Sequence, residues 1–161
     1  MTINEQYKTE RSGSPRARRT FYAVHRAIQK GLVRSAHDLS EGGLAAAAAE
    51  MAFAGNLGAE LWAEHIFIDF IPGEREKLAA LPGVTAENAA DLVRLFSESN
   101  SRFLIEVPAE SALAFEEILT NAEVPHAQVG KVTASDRLVI TGAEGKKLID
   151  RPLKQLKAVW Q

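Results

Sequence analysis

Ser35-Ala36-His37-Asp38-Leu39-Ser40-Glu41-Gly42-Gly43-Leu44, running on through the alanines to Gly55, is the stretch on which the rest of the chain turns. It reads as a short strand over 32–36, a polar turn, and a helix from Leu44 to Ala54. Glu50 is the only charge on that helix, which places it between layers and not on the surface. Asp38 or Ser40 can cap it, and Asp38 with Glu41 has capping-box spacing. Capping leaves Gly42-Gly43 unexplained, since inside a helix each glycine costs about 1 kcal/mol relative to alanine. Either a neighbouring backbone comes too close for a β-carbon, or backbone amides there hold phosphate; the residues alone leave both open. Asp38 and Glu41 would repel a bare phosphate, whereas a Mg²⁺-nucleotide would find in them the hard oxygens it prefers. His37 is a base, a donor to phosphate, or the last strand residue turned inward. Glu50 reads as the solvent-facing position of its helix, with delivery to the site as the alternative.

Outward from this stretch the chain alternates helices and strands. Met1 to Arg18 is polar, carries four arginines between Arg11 and Arg19, and reads as flexible. From about Arg16 the apolar spacing of Phe21, Val24, Ile28 and Leu32 predicts a helix, with His25 on its packed face and Gly31 as its C-cap. Gly55-Asn56-Leu57-Gly58 ends the central helix and leads into a strand over 59–63. Ile66 to Ile71 is a second strand or a packed loop, and Pro72-Gly73 breaks it. His65 has no companion ligand at useful spacing. A short charged helix (74–81), a helix to Phe96, the polar run Ser97-Glu98-Ser99-Asn100-Ser101-Arg102 and a strand (103–107) follow. That run is a binding loop or an ordinary turn. A helix over 111–121, strands at 128–133 and 138–141 joined by a hairpin-like turn at Ser135-Asp136, and a final helix (151–160) with Pro152 at its first position complete the pattern. Hairpins near the C-terminus argue against a purely parallel sheet, so the fold class is α+β, a mixed sheet covered by helices.

Composition excludes more than it selects. A chain of 161 residues with 19 basic and 21 acidic side chains has the size of one domain and no nucleic-acid footprint. It contains no cysteine, so thiolate ligands, disulfides and a cysteine nucleophile are ruled out. No apolar run approaches a membrane span, which predicts a soluble, cytoplasmic protein.

The motif 35–44, its continuation Ala49-Glu50-Met51-Ala52-Phe53-Ala54-Gly55, and Leu95-Phe96-Ser97-Glu98-Ser99-Asn100-Ser101-Arg102-Phe103 together resemble the C-terminal domain of the phosphoribosylformylglycinamidine synthase family. The helix before the motif and Val129-Gly130-Lys131-Val132 fit the same pattern, so the resemblance spans about Arg16 to Trp160. It belongs to a wider superfamily of ATP-using proteins that includes aminoimidazole ribonucleotide synthetase. Composition makes 1–15 a flexible segment, and the resemblance implies a single domain over 16–161, of the aminoimidazole ribonucleotide synthetase C-terminal type. It implies ATP and Mg²⁺ as cofactors, Asp38 and Glu98 toward the metal, and Ser40, Gly42, Gly43, His37 and Arg102 toward the nucleotide and its phosphates. Glu41 stands where other members carry aspartate, a mild departure. The family's partner nucleotide-binding domain and its cysteine glutaminase are missing, so no catalytic residue is expected here and the isolated chain should be inactive. It would work with the remaining synthase domains, and with the glutaminase and small accessory subunits where those are separate. A non-catalytic interdomain packing module, or a domain of another ATP-using member, is the alternative.

Overall fold

The computed structural model describes residues 2–4, 15–68, 70, 73–85 and 88–161. In chain order these form β1 (Thr2–Asn4), α1 (Pro15–Gln29), β2 (Ser35–Asp38), α2 (Gly43–Gly55), β3 (Gly58–Trp62), α3 (Glu74–Ala79), α4 (Ala89–Phe96), β4 (Phe103–Glu106), α5 (Ala112–Asn121), β5 (His126–Gln128), β6 (Gly130–Thr133), β7 (Arg137–Thr141), β8 (Lys147–Pro152) and α6 (Leu153–Trp160), with single 3₁₀ turns between some of them.

The strands make two four-stranded sheets, ordered β2-β4-β1-β5 and β6-β3-β7-β8. The first is antiparallel throughout; the second is mixed, because β3 and β7 run parallel while β6 and β8 run antiparallel to their neighbours. The α+β expectation holds, with two sheets in place of one.

Alternation along β4 explains the layering. Leu104 faces a core formed by α2, β3 and β7, while Phe103 and Ile105 face a second core with α1 and α5. The first sheet is therefore buried on both sides and separates the two cores. α2 lies where the sequence placed it, with Leu44, Ala45, Ala47, Ala48 and Ala52 all buried. Alanines suit that position, since a sheet can approach a helix closely when its side chains end at Cβ. Asn56, in left-handed conformation (φ 51°), closes the helix by donating its N–H to the Ala52 carbonyl.

Several expectations are corrected. Thr2–Asn4, read as part of the flexible 1–15 segment, pair with β4 on one side and β5 on the other; backbone pairing of so short a strand needs no apolar signal. The rest of that segment, 5–14, lies outside the described residues. The packed face of α1 is Ala17, Thr20, Ala23, Val24 and Ala27, not Phe21, His25 and Ile28, which are exposed. Small residues let α1 sit close to α5, and Phe21 packs only at the sheet margin, edge-on to Phe103 at 5.7 Å.

The single strand expected at 128–133 is two strands divided at Val129, the point where the chain passes from one sheet to the other. The turn at Ser135-Asp136 is not a hairpin either: β3 lies between β6 and β7, and Gly58 at its start donates to the Ser135 carbonyl at 2.7 Å. A β-carbon on Gly58 would lie 2.7 Å from the carbonyl oxygens of Ser135 and Arg137, so glycine lets the connection wrap the strand end. β8 was unforeseen; Pro152 ends it and stands just before α6. Ile66 to Ile68 and Phe70 form a loop and not a strand, with Ile66 buried and Phe67 exposed. Among the described residues no helix is long and apolar enough to cross a membrane.

Candidate functional site

The motif lies at the edge of the first sheet. Among the described residues β2 pairs only with β4, Asp38 opposite Phe103, and the Leu39 N–H donates to the Arg102 carbonyl at 2.9 Å. This register brings the start of the α2 turn against the polar loop after α4. Between them is a cleft of about 210 Å³ walled by 38–41 on one side and 98–102 on the other. Asp38, Ser40, Glu41 and Glu98 are exposed around it, and the Ser-Glu-Ser-Asn-Ser run reads as a cleft wall.

The two walls are tied together. Gly42, in left-handed conformation (φ 74°), is the residue before α2, and its N–H donates to Glu98 Oε1 at 2.8 Å. No side chain caps α2, so the capping expected of Asp38 or Ser40 does not form; the glycine turn faces the first amide toward Glu98 instead. Gly43 (φ 60°) donates its N–H to the Ser40 carbonyl at 3.3 Å. A β-carbon on Gly43 would lie 2.8 Å from the Ser97 carbonyl oxygen and 2.9 Å from that of Leu95. At Gly43 packing accounts for the glycine: the end of α4 crosses α2 where a β-carbon does not fit. Both glycine amides already have acceptors inside the chain.

Arg102 is buried and donates from Nη1 to the Ser97 carbonyl at 3.3 Å and to Ser99 Oγ at 3.4 Å, which holds the loop in shape. Ser97 and Ser99 also bond through their hydroxyls at 3.0 Å. Ser101 takes positive φ (64°) at the loop's last bend.

His37 is partly buried behind Asp38. Its Nδ1 lies 2.6 Å from the Asp38 carbonyl oxygen and its Nε2 lies 3.0 Å from Glu50 Oε2. Both ring nitrogens face acceptors, and only a doubly protonated imidazole can donate to both. Burial pulls against the charge, but the hydrogen bonds to the Asp38 carbonyl and to Glu50, with the Glu50 and Asp38 charges, raise the His37 pKa above 6.5. Glu50 is therefore not the solvent-facing residue it was expected to be. Its second oxygen accepts the Trp160 indole N–H at 3.2 Å. Sequence reasoning missed this cluster, because nothing in the spacing of 37, 50 and 160 signals that they meet.

His65 Nδ1 donates to the Gln128 carbonyl at 2.9 Å. Among the described residues no group of three or more His, Cys, Asp or Glu could hold a metal ion by itself. Asp38 and Glu98 offer two carboxylates across the cleft, which suits Mg²⁺, an ion commonly held by one or two carboxylates with phosphate oxygens and water completing its shell.

Comparison with known proteins gives a consistent result. A family described as AIR synthase related protein, C-terminal domain, matches residues 2–143. The phosphoribosylformylglycinamidine synthase subunit PurL of Prochlorococcus marinus is 38% identical over 144 residues, covering 86% of this chain and 15% of its own length. The chain thus spans about 15% of the curated relatives it matches. Among solved structures, Thermotoga maritima PurL complexed with ATP superposes with a TM-score of 0.71 at 21% identity, over 96% of this chain and 24% of that one. The same protein complexed with FGAR gives 0.67 at 22% identity, over 87% and 20%. At that identity the superpositions establish the fold.

Proposed function

The chain belongs to the AIR synthase related protein, C-terminal domain family, and from that premise we propose that it is the last domain of the synthetase part of a phosphoribosylformylglycinamidine synthase. That enzyme converts formylglycinamide ribonucleotide to its amidine with ATP and glutamine-derived ammonia in purine biosynthesis. On this reading the chain supplies one wall of a Mg²⁺-nucleotide site in the cytoplasm and has no activity alone. The remaining synthase domains supply the other walls, and a glutaminase and small accessory subunits are further partners where separate.

The observation that carries the reading is the cleft in which the 38–41 turn faces the 98–102 loop, joined by the Gly42 to Glu98 hydrogen bond. Asp38 and the free oxygen of Glu98 are the metal-facing groups. Mg²⁺ would bring charge neutralisation of the phosphates to a cleft that is otherwise acidic. Ser40 is the hydroxyl nearest the turn, Gly42 and Gly43 set its shape, His37 bonds the Asp38 carbonyl from behind, and Arg102 holds the opposite wall. Titration calorimetry with Mg²⁺-ATP on the chain assembled with its missing domains tests this. Asp38→Asn should weaken binding at least about tenfold, roughly 1.4 kcal/mol; unchanged affinity would sink the role of Asp38.

A second reading, an interdomain packing module, draws on the exposure of Asp38, Ser40 and Glu41 around the glycine turn. It predicts that Gly42→Ala disrupts assembly while nucleotide binding survives in whatever assembles.

A further inference from the structure

The chain after Ala143 lies beyond the residues matched by the family, yet it comes back to the cleft from behind. β8 runs antiparallel to β7, Pro152 ends it, and α6 crosses α2. Leu153 is buried in the core and Leu156 packs against it. At the far end the Trp160 ring meets Phe53 with centroids 5.5 Å apart, and its indole N–H donates to Glu50 Oε1 at 3.2 Å. The other Glu50 oxygen holds His37 Nε2 at 3.0 Å, and His37 Nδ1 bonds the Asp38 carbonyl at 2.6 Å. A continuous line of hydrogen bonds thus runs from the C-terminal helix to the backbone of the residue that opens the cleft.

The placement matters because β2 is an edge strand. β4 fixes one side of it; the other side has no strand partner among the described residues. The peptide carrying His37 and Asp38 is held on its open side by the imidazole, and the imidazole by Glu50. Trp160 is 61% exposed, so burial explains little of its position; its contacts with Glu50 and Phe53 explain more.

We propose that Trp160 and Glu50 are positioning residues for the cleft, with α6 acting as a clamp that orients His37 and through it the Asp38 end of β2. This rests on the reading of the cleft as a nucleotide site. Neither residue lines the cleft; each acts through His37.

Two variants separate positioning from packing. Trp160→Phe keeps a ring against Phe53 and removes the donor, whereas Phe53→Leu removes the ring contact and keeps the donor. In spectra of the 161-residue chain at fixed pH, the His37 ring carbon-proton resonances should shift in Trp160→Phe and in Glu50→Gln, but not in Phe53→Leu. In the assembled synthase, Trp160→Phe should weaken Mg²⁺-ATP binding three- to tenfold with an unchanged melting temperature. A His37 ring that does not respond to Trp160→Phe or Glu50→Gln overturns the proposal. So does unchanged affinity in Trp160→Phe where Asp38→Asn weakens binding. If Asp38→Asn also leaves affinity unchanged, the nucleotide reading has failed, and the His37 resonances alone decide the positioning.

Discussion

Gly31 and Gly43 both have positive φ, 70° and 60°, but a β-carbon would meet nothing within 4 Å at Gly31 and three backbone atoms under 3 Å at Gly43. Alanine at Gly31 therefore bears only the left-handed backbone cost, about 1 kcal/mol. At Gly43 overpacking against the end of α4 adds to it, for a total of about 2–4 kcal/mol. Urea unfolding of the two variants should show that difference; equal losses would mean α4 yields and the crossing is not tight. The sequence exposed the cost of Gly43 but not its cause, because the 95–97 backbone that explains it is more than fifty positions away. His37 offers a second test at this scale. Its folded pKa is raised, so the protonated ring contributes stability that is complete below about 6.5 and is lost as pH rises through the folded value. Glu50→Gln should flatten that fall in stability as the pH rises above 6.5. A slope unaltered by the substitution would show that Glu50 does not hold the proton.

Among the elements, those whose signal was local were readable from sequence and those fixed by a neighbour were not. α2 was legible because five consecutive alanines and a left-handed Asn56 cap are properties of the segment itself. The face of α1 was not, since its apolar spacing favoured Phe21 and Ile28 while the close approach of α5 selected Ala23 and Ala27. The break between β5 and β6 left no mark in the strand-like run 128–133, because Val129 is as good a strand residue as its neighbours and only the two-sheet topology interrupts it. α6 shows what an element's environment predicts. Leu153 is 4% exposed and Val159 90% exposed on the same helix. Leu153→Ala should cost about 2–4 kcal/mol, and Val159→Ala should stay within about 0.5 kcal/mol. Comparable losses from both in urea melts would mean that α6 is held by its length and not by its anchored first turn.

At the scale of the molecule, the first sheet is the wall common to both cores. Leu104 belongs to one and Ile105 to the other, on adjacent residues of a strand that pairs with both β1 and β2. Neither core can lose its packing without disturbing β4, because a shift that releases one side chain moves the next. The two halves should therefore unfold together. The two tryptophans stand on the far side of the molecule from α1 and α5, Trp62 on β3 and Trp160 on α6, so their fluorescence reports one half, while far-ultraviolet circular dichroism reports all the helices. The two urea transitions should coincide in the unmodified chain. They should still coincide in Leu104→Ala and Ile105→Ala, each shifted to lower denaturant by a loss of about 2–5 kcal/mol. If Ile105→Ala lowered only the dichroism midpoint and left the tryptophan transition in place, the α1–α5 side would be an independent unit. The cleft, built from β2, the α2 turn and the loop before β4, would then depend for its stability on the α2 core alone.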